Sequence, residues 1–111
     1  MAHFQQEKRT PKDRFEDVRM GKPALFIGKN LITPGVVKHV KELFKQQSIL
    51  KLKFQKNIVS KERYPEIILE LCDKTKSYCL DLRGHVFILS RYQIEGVHWP
   101  KQFQATTWNK D

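Results

Sequence analysis

Between residues 24 and 54 the chain reads as an apolar run, a helix signal and a second run, and that order limits what it can fold into more than any other feature. Ala24-Leu25-Phe26-Ile27 is uninterruptedly apolar and stops at Gly28, as a strand buried on both faces does. Thr33-Pro34 then marks a helix start, with threonine as N-cap and proline at the first helical position. Val36, Val37, Val40, Leu43 and Phe44 fall on one face of a helix running to about Gln47. The alternation Leu50-Lys51-Leu52-Lys53-Phe54-Gln55 follows as a half-buried strand, its lysines opposite its apolar side chains. A strand, a helix and a strand in this order make a crossover that sets the two strands parallel in one sheet.

The flanking segments complete the pattern. Thr10-Pro11 gives a first helix, with Asp13 in its opening turn, Phe15 and Val18 facing inward, and Gly21 as its stop. A third helix starts near Pro65 and runs to Asp73 or Lys74. It buries Ile67, Ile68, Leu71 and Cys72 and keeps Glu66, Glu70 and Asp73 outside. Tyr78 to Leu82 and Val86 to Leu89, joined at Arg83-Gly84-His85, read as a hairpin. The expected fold is a compact single α/β domain of order α-β-α-β-α-β-β, a four-stranded mixed sheet packed by helices, with a C-terminal extension. The all-apolar strands at 24–27 and 86–89 are expected at its centre. Residues 1–10 form an arm, 11–92 the domain, and 93–111 a tail holding Trp99, Phe103 and Trp108 without clear periodicity.

A chain of 111 residues supports one core and leaves little room for a deep active-site cleft. Its hydrophobic content of 40% is too high for a disordered tail, and no apolar run approaches the roughly 18 residues that cross a membrane. Cys72 and Cys79 match neither a disulfide framework nor a CxxC site, and with His85 and His98 they have no zinc spacing. Asp81, His85 and Ser90 lie too close along one hairpin for a triad. No catalytic residue, metal, cofactor or small-molecule substrate is expected. The N-terminus has no apolar core of a signal peptide and carries acids a transit peptide lacks, so the expected location is cytoplasmic.

The net charge of +9 comes from 21 Lys+Arg against 12 Asp+Glu, and it is not evenly spread. From Lys22 to Lys61 there are nine lysines and a single acid, Glu42, which leaves +8 in forty residues. Lys29 lies in the loop that opens onto the second helix, where unpaired N–H groups and the positive dipole end face any anion. Lys38, Lys41 and Lys45 continue along that helix, and Lys51 and Lys53 extend the surface onto the next strand if its face is open. Such a patch contacts phosphates and gives affinity without base sequence. Secondary candidates are His39, which reads more readily as an ordinary surface histidine, with Lys22, Arg83 and Arg91. Trp99, Phe103 and Trp108 either stack on exposed bases or pack on the domain.

Three stretches carry a resemblance. ALFIGKNLITPGVV at 24–37, KHVKELFKQQSILKLKF at 38–54 and TKSYCLDLRGHVFILSRY at 75–92 resemble the CRM domain, the RNA-binding module typified by bacterial YhbY. Its fold is similar to that of the C-terminal domain of bacterial initiation factor 3. The resemblance implies a non-enzymatic protein that binds structured RNA, with large-subunit ribosomal RNA or its precursor and ribosomal particles as partners. A stably bound ribosomal protein, an intron-splicing cofactor and a basic protein-interaction module are the alternatives. It also implies that Gly28, Lys29, Asn30, Leu31, Thr33 and Gly35 form the RNA-binding loop and helix start. The family loop is GxxG, and Leu31 stands where its second glycine belongs. Asn30, more tolerant of the left-handed region, is expected to shift the turn by one position. Gly35 either leaves the first helical turn open to an approaching backbone or packs tightly against a strand.

Overall fold

The computed structural model describes residues 10–101 and 103; the arm at 1–9 and the tail at 104–111, with Trp108, lie outside the described residues. The elements are α1 (Pro11–Met20), β1 (Leu25–Ile27), α2 (Pro34–Phe44), β2 (Ile49–Phe54), a 3-10 turn at Lys61–Arg63, α3 (Tyr64–Thr75), β3 (Tyr78–Arg83) and β4 (Val86–Ser90). Both Thr-Pro signals act as helix starts. Thr10 and Asp13 form a reciprocal capping box, with both hydrogen bonds at 3.1 Å. The Thr33 hydroxyl accepts the Val36 N–H at 3.1 Å. α2 ends at Phe44, three residues short of Gln47, because the Lys45 and Gln46 N–H groups bond three residues back in a tightened last turn.

The sheet order is β1-β2-β4-β3. β1 and β2 are parallel, with Leu25 opposite Leu52, and the pairs β2/β4 and β3/β4 are antiparallel. The crossover and the hairpin are therefore as the pattern requires, but the centre of the sheet is not. β4 is central, whereas the apolar run of β1 is an edge strand with its middle residue, Phe26, 53% exposed. The lysine-bearing β2 holds the middle position instead.

What lets β2 do so is the use of its two faces. Leu50, Leu52 and Phe54 join Ile27, Leu82, Phe87 and Leu89 under α2 and α3, which contribute Val40, Phe44, Ile67, Ile68 and Leu71. On the other side a smaller cluster gathers Phe15 of α1 with Ile49, Leu80, Ile88 and Ile94. The domain is thus three layers, α1 over the sheet over α2 and α3. Lys51 points to the α1 side, where its ammonium donates to the carbonyls of Arg19 and Gly21 at 2.8 Å each. That caps the C-terminal end of α1 with a cation and satisfies two orphan acceptors.

Residues past β4 belong to this packing. Ile94 lies in the α1-side cluster, while Phe103 is 2% exposed within the main core and meets Trp99 at 5.2 Å between ring centroids. Trp99 also packs edge-on against Tyr78 at 6.4 Å. Phe103 is core and presents no free stacking face, while the half-buried Trp99 covers it. Phe103→Ala is expected to cost about 3 to 5 kcal/mol, read as a shift of the urea unfolding midpoint. A loss below about 1 kcal/mol would show that the segment after Ser90 is not part of the core.

Candidate nucleic-acid interface

β1 delivers its chain to Gly28, and a four-residue turn reverses it: the Leu31 N–H donates to the Gly28 carbonyl at 2.9 Å. Lys29 and Asn30 form the exposed tip of that turn. The left-handed residue is Leu31, at φ 57°, and not Asn30. The turn has not shifted by one position. The half-buried Leu31 packs with Ile32 against the main core, and that contact holds a conformation costing a non-glycine residue roughly 1–2 kcal/mol. Gly28 itself needs no left-handed freedom; a β-carbon there would stand 3.4 Å from the flexible end of Gln55.

α2 begins where the turn ends. Pro34 has no N–H, Val36 donates to the Thr33 hydroxyl and Val37 to the Thr33 carbonyl at 3.0 Å. The Gly35 N–H is left without an acceptor among the described residues, on an exposed helix start. A β-carbon on Gly35 would meet only the Thr33 hydroxyl, at 3.7 Å, and no strand lies near it. Tight packing therefore does not account for this glycine.

The lysines divide between two faces of the sheet. Lys38 and Lys41 are exposed on α2 and, with Thr33, Pro34, Val37 and Lys74, line a cleft of about 550 Å³ between the start of α2 and the end of α3. Lys41 also lines a second cleft of about 360 Å³ with Lys45, Lys76, Arg91 and Tyr92. A basic strip thus runs along the α2–α3 groove, and Lys29 adds a charge in the turn that precedes α2. Lys45 is paired with Glu42 at 3.7 Å and Lys74 with Glu70 at 3.5 Å, both on the surface, where such pairs exchange readily for a phosphate. Arg91 is partly committed, donating to the Phe44 carbonyl at 3.2 Å with its guanidinium 5.5 Å from the Tyr92 ring centre.

Lys51 and Lys53 do not join this strip. They lie on the opposite face of the sheet, since alternation puts them with Ile49 and not with Leu50, and Lys51 is consumed in capping α1. Arg83, paired with Asp81 at 3.4 Å, also belongs to that side, and Lys22 is exposed in the α1–β1 connection. His39 is exposed on α2 beside Lys38. Conversely, Lys74 and Lys76 were not legible as interface residues, because a lysine at the end of a helix ordinarily just complements the dipole. A cleft of about 710 Å³ on the far side of α3 has Leu69, Tyr78 and Trp99 beside Glu66, Glu70 and Asp73. Those three carboxylates outnumber its one lysine, Lys76, and give it the wrong sign for phosphate. Cys72 and Cys79 are buried, which pushes the Cys72 thiol up to about 12 and that of Cys79 well above its ordinary value, so neither is a ready nucleophile.

The family model of the CRS1/YhbY (CRM) domain matches residues 6–91. The chain belongs to this family. A similar fold is found in the solution structure of the hypothetical protein SAV1595 from Staphylococcus aureus, described as a candidate RNA-binding protein. The two chains share 18% identity at a TM-score of 0.61, over 78% of this chain and 90% of that one. At such identity the likeness is one of fold. A comparison with curated proteins gives no match.

In this CRM domain the loop conformation is held by packing where glycine would adopt it freely, and the two costs can be separated. Leu31→Gly is expected to be more stable than Leu31→Ala by about 1 kcal/mol, the reverse of the usual order, because alanine keeps the strain while losing the contact. Thermal unfolding of both variants checks this, and alanine equal to or better than glycine would refute the strain.

Proposed function

We propose that this CRM-domain chain is a non-enzymatic RNA-binding protein that grips structured RNA with the 28–35 loop and the α2–α3 groove. The observation that carries this reading is the coincidence of the basic strip with Gly35, a residue whose lack of a side chain serves no contact inside the domain. An exposed glycine with an unclaimed N–H at a helix start admits a phosphate to the backbone, Lys29, Lys38, Lys41 and Lys74 bring charge to that end of the groove, and Lys76 continues it toward the end of α2. Lysine point charges suit phosphate position and groove shape; bidentate reading of bases is the work of arginine. Specificity then comes from the geometry of a folded RNA.

Large-subunit ribosomal RNA or its precursor, in assembling ribosomal particles, is the RNA that the family resemblance favours. Crosslinking in cells followed by sequencing of the bound RNA tests that target: enrichment of large-subunit sequences is expected, and enrichment confined to other transcripts would replace it. No helix among the described residues is long and apolar enough to cross a membrane.

If about five phosphates are neutralised, log affinity falls with log salt at a slope of roughly −3 to −5. Alanine at Lys29, Lys38 and Lys41 together is expected to make that slope shallower by about 2 to 3 while leaving the unfolding temperature unchanged. An unaltered slope would move the interface elsewhere. Gly35→Glu gives a sharper separation. The carboxylate favours the start of α2 by about 0.3–1 kcal/mol, yet it repels a phosphate, so stability is expected to hold or rise while RNA affinity drops tenfold or more. Unchanged RNA binding by this variant would remove the helix start from the site.

A further inference from the structure

Among the described residues three large apolar side chains are exposed, Met20, Phe26 and Tyr92, and one of them stands in a row laid out by the sheet itself. Phe26 of β1 is directly opposite Lys53 of β2, Lys53 opposite Val86 of β4, and Val86 opposite Arg83 of β3. Residues paired in this way point to the same face. Phe26, Lys53, Val86 and Arg83 therefore form one line across all four strands, on the α1 side of the sheet.

α1 leaves that line uncovered. Its last carbonyls are fixed by Lys51, one pleat before Lys53, and its apolar contacts, Ile49 and Ile88, lie in the rows behind. Exposure follows the same boundary: Ile49 and Ile88 are buried, Lys53 and Val86 are half-buried, and Phe26 and Arg83 are exposed. Lys53 makes no ion pair among the described residues, and Arg83 has only the surface contact with Asp81. One pleat beyond Phe26 comes Gly28, beside Gln55, so the row opens directly onto the glycine loop.

We propose that this row is a second RNA site, which takes an unpaired nucleotide with its base stacked on the Phe26 ring and its neighbouring phosphates held by Lys53 and Arg83. The proposal rests on the RNA reading above and deepens it by adding a single-stranded segment to the structured part. An exposed aromatic flanked by cations suits single strands, because every base has a π-face and every linkage a charge. A strand spacing of about 4.8 Å sets Arg83 about 14 Å from Phe26, so extended chain leaving the stacked base crosses both cations. The other occupant open to such an edge, an added peptide strand, finds only three residues of β1 to pair with and two positive charges in its path.

Anisotropy titrations of the full chain with a stem-loop RNA, and with the same stem-loop carrying a short oligouridine tail at its 5′ or 3′ end, test the assignment. A tail is expected to raise the affinity of the wild type about tenfold. Phe26→Leu, which keeps apolar bulk on the strand, should lose that gain while binding the untailed stem-loop as the wild type does; Phe26→Trp should keep it, and Lys53→Gln should reduce it. The row is refuted if neither tail improves wild-type binding, or if Phe26→Leu retains the full gain. A wild type that binds neither RNA refutes the RNA reading itself and this inference with it. Binding of both RNAs with equal affinity refutes the row alone.

Discussion

Leu50, Leu52 and Phe54 on one side of β2, with Ile49, Lys51 and Lys53 on the other, leave the strand one way to sit between β1 and β4. A slip of one residue would drive two lysines into the core and lift three large apolar side chains out of it. Fixing β2 fixes its neighbours. The parallel partner β1 must end where β2 ends, so the glycine turn leaves the sheet at the edge reached by Gln55 and by the β3–β4 hairpin, where the Phe54 N–H meets the His85 carbonyl at 2.8 Å. α2 is then laid over the apolar face with its N-terminus at that same edge. On the other face the lysine stem that would be a burden in a central strand becomes the clamp on α1, through the two carbonyls it reaches.

Most of this could be read from the sequence because it is written in local signals. The Thr-Pro caps, the alternation around Lys51 and Lys53 and the crossover order each have a short-range physical cause, and each appears in the structure. The failures share a different cause. That β1 is an edge strand follows from which strands pair, and an apolar run of four residues contains no information on that point. The charge run from Lys22 to Lys61 likewise sums to +8 along the chain, but the chain passes through both faces of the sheet. A linear sum therefore assigned to one surface lysines that the pleat divides between two. Lys74 and Lys76 reach the α2 groove from another helix, which no local pattern could reveal.

Leu31 and Gly35 show how the loop departs from its family and what it keeps. At the position of the second loop glycine, this chain adopts the left-handed conformation with a side chain attached, anchored by burial against the core. Packing there supplies what the freedom of glycine would otherwise give. Gly35 presents the opposite case: its φ is ordinary and its surroundings are empty, so nothing within the domain asks for glycine. Leu31 is thus accounted for inside the protein. Gly35 has no such account there, and on the proposed reading a phosphate at the unclaimed N–H supplies one.

Charge placement also determines how a long polyanion can lie on so small a body. The outer face of α3, with Glu66, Glu70 and Asp73, repels it, while the α2–α3 groove on the next side attracts it. Lys74 and Lys76 mark the boundary, at the C-terminal end of the helix that carries both signs. On the proposed reading, an RNA drawn to the groove is held away from the acidic cleft, and the least opposed direction in which it can continue is past the glycine loop and over the open edge of the sheet. There Lys53 and Arg83 supply charge again. On that reading the loop becomes the turning point between the two proposed surfaces, where a fixed backbone conformation matters most and where packing keeps Leu31 in one.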